Sequence, residues 1–313
     1  MSAFNTTHYQ PPFFILMGIP GLEAAHIWIS IPFCTLYVTA VIGNSIIIFI
    51  IKTDASLHQP MYFLLSMLSG TDIALPTCVI PKMLGAFWFD SREIYFDACL
   101  MQMYFAHSFV VVESGILISM AFDRYVAVCN PLRYTSILTN ALLAKLAFLV
   151  IFRSMLYVLP FPFLTKRLPF CNSNVIAHTY CEHMSVARLA CADITANAVY
   201  GMSIALCGVF LDLLFIALSY ALILKAVVRL SSKEARAKAF STCTAHVCVI
   251  AVFYTPFLFT VILQRVGHTL SPSVHIIVAN LYFLVPPIVN PVVYGVNTKQ
   301  IRDRILKIFH LGR

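Results

Sequence analysis

The sequence predicts an all-α membrane protein, a seven-transmembrane helix bundle closed by a short interfacial C-terminal helix. Three observations carry that prediction. Hydrophobic residues make up 60% of the 313-residue chain and charged residues only 11%, a balance of helical membrane proteins rather than soluble domains. Apolar runs long enough to cross a hydrocarbon core of about 30 Å recur along the whole chain, with short loops between them. The basic residues collect in loops at alternate span ends: Lys52; Arg133; Lys225 to Lys238; and Lys299 to Arg313. Met1–Ile51 holds no Lys or Arg, so the positive-inside rule puts the amino terminus outside the cell and the chain in the plasma membrane as a multi-pass protein. The net charge of +8 is thereby used up at membrane boundaries, and a nucleic-acid partner is not expected.

Each element follows in order. Residues 1–26 are a polar outer segment without a cleavable signal pattern, and Asn5-Thr6-Thr7 is a glycosylation sequon. The first span is expected at about Ile27–Ile51 with Gly43-Asn44 in its inner half, and the second at about Pro60–Phe87 with Asp72. Trp88–Asp97 is a short outer loop, and the third span runs from Cys99 to Cys129. The fourth is expected at Leu142–Phe163, with Pro160 and Pro162 near its outer end. Residues 164–197 form the one long loop. The fifth span, Ala198–Val228, carries Asp212 and Ser219-Tyr220. A basic inner segment then leads to the sixth, Ala237–Leu263. The seventh, Val274–Tyr294, contains Pro286, Pro287 and Pro291, which a bundle tolerates because neighbours re-satisfy the freed carbonyls. Residues 298–313 alternate basic and apolar positions at helical spacing, as an interfacial helix does. These bounds make one domain of seven spans over residues 1–313.

Ionisable residues inside spans are costly and mark function or pairing. Asp123-Arg124-Tyr125 ends the third span. Asp123 is too close in sequence to face Arg124 across a helix, so it restrains the guanidinium locally and leaves it able to reach other helices. A boundary anchor with a snorkelling Arg is the alternative. Asp72 and Glu113 are two mid-membrane acids that can cluster with Asn44, Ser69 and Asn290, and two neighbouring carboxylates do not both ionise without a cation. Cys99, Cys171, Cys181 and Cys191 allow three disulfide pairings; a zinc site with His178, Glu182 or His183 lacks paired C-x-x-C spacing. On the sixth span, Tyr254, Leu258, Val261 and Arg265 recur at intervals of four, three and four, so they share a face. Arg265 stands roughly 16 Å above Tyr254, capping an apolar wall with a group suited to planar carboxylates; an extracellular loop charge in water is the alternative.

Four motifs together resemble one family. LHQPMYFLLSMLSGTDIA (Leu57–Ala74), MAFDRYVAVCNPLRY (Met120–Tyr134), KAFSTCTAHV (Lys238–Val247) and PVVYG after Asn290 are similar to the odorant receptors, a group of rhodopsin-like G-protein-coupled receptors. Gly18-Ile19-Pro20-Gly21-Leu22-Glu23 with Glu113 looks like the class I branch. The sixth span lacks the C-W-x-P of the wider rhodopsin-like pattern, having Tyr254 in the Trp position, and this suits odorant receptors.

The resemblance implies a set of roles. Cys99–Cys181 would tie the long loop to the third span and Cys171–Cys191 would close the loop on itself. Asp123, Arg124, Tyr125, Tyr220, Asn290, Pro291 and Tyr294 would carry activation and coupling to a stimulatory G protein that raises cyclic AMP. Asp72 and Glu113 would hold a sodium ion or, alternatively, one shared proton; no other cofactor or metal is expected. The ligand would be a small odorant, a medium-chain carboxylic acid, held by Arg265 with His107, Val111, His183, Gly201, Ile204, Ala205, Tyr254, Leu258 and Val261 around it. His107 in place of an acid on the third span argues against amines. Two rival classes are weighed. A transporter calls for interrupted helices around a midplane site and for inverted repeats; no repeat is apparent, and the DRY and NPVVY motifs would be coincidence. An intramembrane enzyme calls for a local signature such as H-E-x-x-H or G-x-S-x-G, and none exists.

Overall fold

A computed structural model describes residues 10–171, 173–229, 232–266 and 271–309. The elements are β1 (Phe13–Leu16), α1 (His26–Thr53), α2 (Pro60–Phe89), β2 (Glu93–Tyr95), α3 (Phe96–Cys129), α4 (Tyr134–Ile137), α5 (Asn140–Val158), α6 (Pro160–Lys166), β3 (Val175–Ile176), α7 (His183–Ala187), α8 (Thr195–Val228), α9 (Lys233–Val266), α10 (Pro272–Tyr282), α11 (Val285–Asn297) and α12 (Lys299–Phe309). Among the described residues, seven helical stretches are long and apolar enough to cross a membrane. The expected bundle is therefore present.

The third span is its axis. Sixty-one per cent of the residues in its most apolar stretch are buried, against 22% in the fourth and fifth spans. Helix α3 packs on α2, α5, α8 and α9, while α8 leaves Phe210, Phe215 and Leu218 exposed, as a lipid-facing wall requires. Two spans are broken where proline dictates. Pro160 has no N–H to continue α5, and the chain restarts α6 with that proline in its first turn, where the missing donor costs nothing. Pro286 and Pro287 likewise open α11 after a break at Phe283–Leu284. The basic segment expected between the fifth and sixth spans is shorter than the sequence suggests: Lys233–Arg236 already belong to α9, four residues before the expected start. Helix α12 is tied back to the first loop by Arg304–Asp54 and to the start of α2 by the Tyr62–Gln300 hydrogen bond.

The unforeseen feature is a three-stranded sheet of order β2-β1-β3 over one end of the bundle. The central strand β1 is antiparallel to β2 and parallel to β3. Its exit explains the Gly18-Ile19-Pro20 motif. Gly18 turns with φ +87°, and a Cβ there would sit 2.5 Å from the His26 ring. The Ile19 N–H donates to His26 Nε2 (3.1 Å), and His26 stacks on Phe87 at 4.1 Å. Only glycine fits that corner.

Candidate functional site

Beneath the sheet the bundle encloses a cavity of about 500 Å³, within the range of small-molecule sites. The long loop roofs it. Cys99–Cys181 and Cys171–Cys191 are bonded, with Cα separations of 5.5 and 5.9 Å. Gln102 on α3 accepts from the Cys181 N–H (2.9 Å), and Thr179 and Asn280 exchange hydrogen bonds of 2.7 and 3.0 Å. The roof is thus fixed to the third and seventh spans.

The buried acid of the roof is fully satisfied. Glu182 accepts from the Met184 N–H (3.0 Å), the Ser185 N–H (2.6 Å) and the Ser185 hydroxyl (2.8 Å). Burial pushes its pKa up, but His178, the Met184 N–H, His183 and Ser185 together outweigh that and bring it to about 2. Burial is the main cause that lowers His178 to about 4, with Glu182 opposing and His275 adding to the lowering. His183 is lowered to about 4 by burial as well, against the pull of Glu182. Both imidazoles are therefore neutral at pH 7.

Most of the expected ligand residues meet at this cavity. His107, Val111, His183, Gly201, Ile204, Ala205, Tyr254 and Val261 all line it. His107 points its Nδ1 at the Met103 carbonyl (2.8 Å), and Phe161 stands between the His107 and His183 rings at 5.3 and 4.4 Å. Gly201 faces His183 and Phe161, and a Cβ there would meet both rings in ordinary contact, 3.4 Å from His183 Nδ1 and 3.5 Å from Phe161. Leu258 corrects the expectation: it lies off the cavity, where Phe253, Phe257 and Thr260 take its place. At about 100° per residue Phe257 and Leu258 flank Tyr254 on opposite sides, and the cavity lies on the Phe257 side. The side chain of Arg265, and Asn5, fall outside the described residues.

Residues not singled out as ligand contacts complete the floor. Arg153 in mid-α5 donates from Nη1 to Asp212 Oδ1 on α8 (2.8 Å) and from Nη2 to the Ser114 hydroxyl (2.7 Å) and the Val111 carbonyl (3.2 Å). The guanidinium also lies 5.8 Å from the Tyr157 ring centroid. A lone Arg in an uncharged run, with an Asp in the next span, was the available signal.

Lower in the bundle sits the second polar group. Asn290 donates to both oxygens of Asp72 (3.1 and 3.0 Å). Glu113 lies within electrostatic reach of Asp72. Pro291 supplies no N–H to the Pro287 carbonyl, and Asn44 donates to it instead (2.7 Å). Ser69 is buried on the same helix as Asp72. Three acceptors here, Glu113 Oε1, Asn44 Oδ1 and Asn290 Oδ1, are buried without a partner. A donor set of carboxylate and amide oxygens fits a hard cation or a proton.

At the far end Arg124 folds onto its neighbour, donating from Nε (3.0 Å) and Nη2 (2.5 Å) to Asp123. Tyr134 donates to the other Asp123 oxygen (2.7 Å). Tyr220 pairs with His246 Nδ1 (2.9 Å), and Tyr294 is buried beside Met120. Tyr125 packs with Ile223, Val227 and Cys243. Arg124 is thus held within its own helix end, and the two tyrosines are engaged elsewhere.

Comparisons with known proteins converge on one group. A sequence model described as "Olfactory receptor" matches residues 33–311. The chain is 55% identical to olfactory receptor 52N5 of Homo sapiens over 98% of its own length and 95% of that receptor. It is 54% identical to olfactory receptor 52B2 of Homo sapiens over 99% of its length and 96% of that receptor. The crystal structure of squid rhodopsin superposes with a TM-score of 0.75 at 16% identity, over 93% of this chain and 82% of that one, a likeness of fold.

Proposed function

The chain belongs to the olfactory receptor family, in its class I branch, and from that premise we propose that it detects a medium-chain carboxylic acid in the roofed cavity. It is a seven-span G-protein-coupled receptor and not an enzyme. In this reading the amino terminus is extracellular, the whole chain is one receptor domain, and ligand binding activates a stimulatory G protein that raises cyclic AMP. The observation that carries the acid reading is the placement of Tyr254 and Val261 on the cavity wall. Arg265 lies one and three turns further along the same unbroken helix, at the roofed end. Its fork would take the carboxylate through two parallel hydrogen bonds, with His107 and His183 as neutral neighbours. The alkyl tail would run down Val111, Ile204, Val261 and Phe257. The same reading gives Asp72 and Glu113 a sodium ion or a shared proton in the inactive state, and Arg124 to the G protein once released from Asp123.

The test is a panel of acids, alcohols and methyl esters of about six to ten carbons, read through cyclic AMP. Potency should rise with chain length, by up to roughly 0.8 kcal/mol per buried methylene, then fall when the tail reaches the floor. Charge-assisted hydrogen bonds contribute about 1.5–3 kcal/mol each, so Arg265→Ala should lower acid potency at least about tenfold. Arg265→Lys should recover part of it. Methyl esters as potent as the free acids, or an unchanged Arg265→Ala receptor, would overturn the carboxylate clamp. Uptake of the acid into vesicles without nucleotide exchange would mark a transporter instead.

A further inference from the structure

The cavity reaches the surface beside an unspent charge. Arg188 and Val199 both line it and are exposed, so it opens between the roof helix α7 and the outer end of α8. The other charged side chains of the described lining are already engaged. Arg153 and Asp212 close on each other, and Glu182 accepts from Met184 and Ser185 of its own turn. Among the described residues the Arg188 guanidinium makes no hydrogen bond and no ion pair. Its backbone, by contrast, is held firmly. The Arg188 N–H donates to the Met184 carbonyl (3.0 Å), and Val186 and Ala187 just before it are fully buried in one apolar cluster with Cys181 and Phe170. Further on, the Cys191 N–H donates to the Pro169 carbonyl (2.9 Å). A free cation is thus presented at the opening by a fixed turn, within electrostatic reach of His275 on α10.

We propose that Arg188 is an anion-capturing residue at the cavity mouth, which draws a carboxylate in from water and favours acids over neutral odorants of equal length. The inference rests on the acid reading and adds to it a second cation, on the roof rather than on the sixth span. A carboxyl group titrates near about pH 4, so a medium-chain acid approaches at pH 7 as an anion. It meets the positive rim before the apolar wall. A charge at the entrance of a low-dielectric cleft raises the local concentration of its counter-ions. Glu182 opposes this, but it is buried behind the turn, whereas Arg188 stands in the path of the ligand. Two tasks are thereby divided between two arginines. At Arg265 the planar fork matters, because the carboxylate is held there. At Arg188 charge alone matters, because the carboxylate passes.

The experiment uses membranes carrying the full receptor and reads nucleotide exchange driven by octanoate. Wild type, Arg188→Gln, Arg188→Lys, Arg188→Glu and Arg265→Ala are compared, with surface expression measured in parallel. Each is assayed in choline chloride at about 0.01 M and about 0.15 M, where the screening length falls from about 30 Å to about 8 Å; choline keeps sodium constant. At low salt Arg188→Gln should lower octanoate potency about two- to fivefold, the value of one exposed charge. Arg188→Glu changes the charge by two units and should lower it about four- to twenty-five-fold. Arg188→Lys should match the wild type, maximal responses should be equal, and the gaps should narrow at the higher salt. Octanoate equally potent on wild type, Arg188→Gln and Arg188→Glu overturns the inference; if Arg265→Ala still loses potency, the acid reading stands. A loss in Arg188→Lys as large as in Arg188→Gln, with no dependence on salt, also overturns it, because packing rather than charge would then be at work. If the Arg188 variants behave as expected and Arg265→Ala is unchanged, the clamp at Arg265 fails and Arg188 stands. A wild type that responds to no acid overturns both.

Discussion

On one side of α3, Arg153 and Asp212 meet as cation and anion; on another, Asp72 and Glu113 meet as two acids. The two clusters are approached by consecutive residues, Glu113 turned toward Asp72 and Ser114 toward Arg153. Their leftover atoms differ in kind. Beside the ion pair Arg153 Nε and Tyr254 Oη are without a partner, whereas beside the acid pair Glu113 Oε1, Asn44 Oδ1 and Asn290 Oδ1 are, together with the nearby Tyr282 hydroxyl. A buried polar group without a partner costs about 1–3 kcal/mol, so each cluster carries a cost that its own neighbours do not offset. Position in the bundle differs too, since Arg153 and Tyr254 line the cavity and the acids lie outside its lining.

The strongest way to break this contrast is to remove one charge from each cluster. Asp212→Ala strands Arg153 and should cost about 3–5 kcal/mol, seen as a lower thermal midpoint of the purified receptor. Adding Arg153→Met should recover most of the loss. Asp72→Asn removes one of two repelling acids and should cost far less. Equal losses for Asp212→Ala and Asp72→Asn would mean that the two clusters are not different in kind.

The roof supplies a third case, a buried carboxylate with its oxygens satisfied by its own loop. Glu182 calls for no occupant, and pH should act there through the imidazoles. The unfolded chain takes up the His178 proton near its ordinary 6.5 and the folded chain only near 4. Protons therefore favour the unfolded roof as pH falls from 6.5 to 4, and stability present above 6.5 is lost across that window. For His178 the swing is about 3 kcal/mol. Hydrogen exchange of the roof should accelerate across it, and His178→Phe, which keeps an aromatic ring against Tyr180, should reduce the response to the part that His183 carries. A roof equally protected at pH 7 and pH 4.5 would contradict the neutral imidazole.

The smallest effect is expected at the acid pair. Sodium should lower basal cyclic AMP severalfold in the wild type and have no such effect in Glu113→Gln or Asp72→Asn. If both variants keep the wild-type sodium and pH responses, the acids serve only the hydrogen-bond network.

Much of this was legible in the sequence, and the limits have physical causes. Spans are set by hydropathy and prolines by their own chemistry, so the bundle and the Pro160 and Pro286–Pro287 positions could be read directly. The residues of the sixth-span face were nearly right, but spacings of three and four both fit one helix side, and only packing chose Phe257 over Leu258. Arg153 and Asp212 were each visible as charges; their pairing across 59 residues was not, because nothing local encodes it. The sheet escaped for a similar reason. Its strands have four, three and two residues, too few for a period of two to register.

That sheet also imposes an order on the protein's biogenesis. β1 is the first element made, yet it lies between strands that emerge much later, and Asn174 reaches back across 161 residues to the Phe13 carbonyl. With the amino terminus outside, as proposed, β1 crosses ahead of the first span, gains β2 on one edge after the second span, and keeps its other edge open until four spans are inserted. Only then do β3 and the Cys181 thiol appear on the same side to close over it. Long-range pairing of this kind forms slowly, so closure of the roof trails the insertion of the four spans that precede β3.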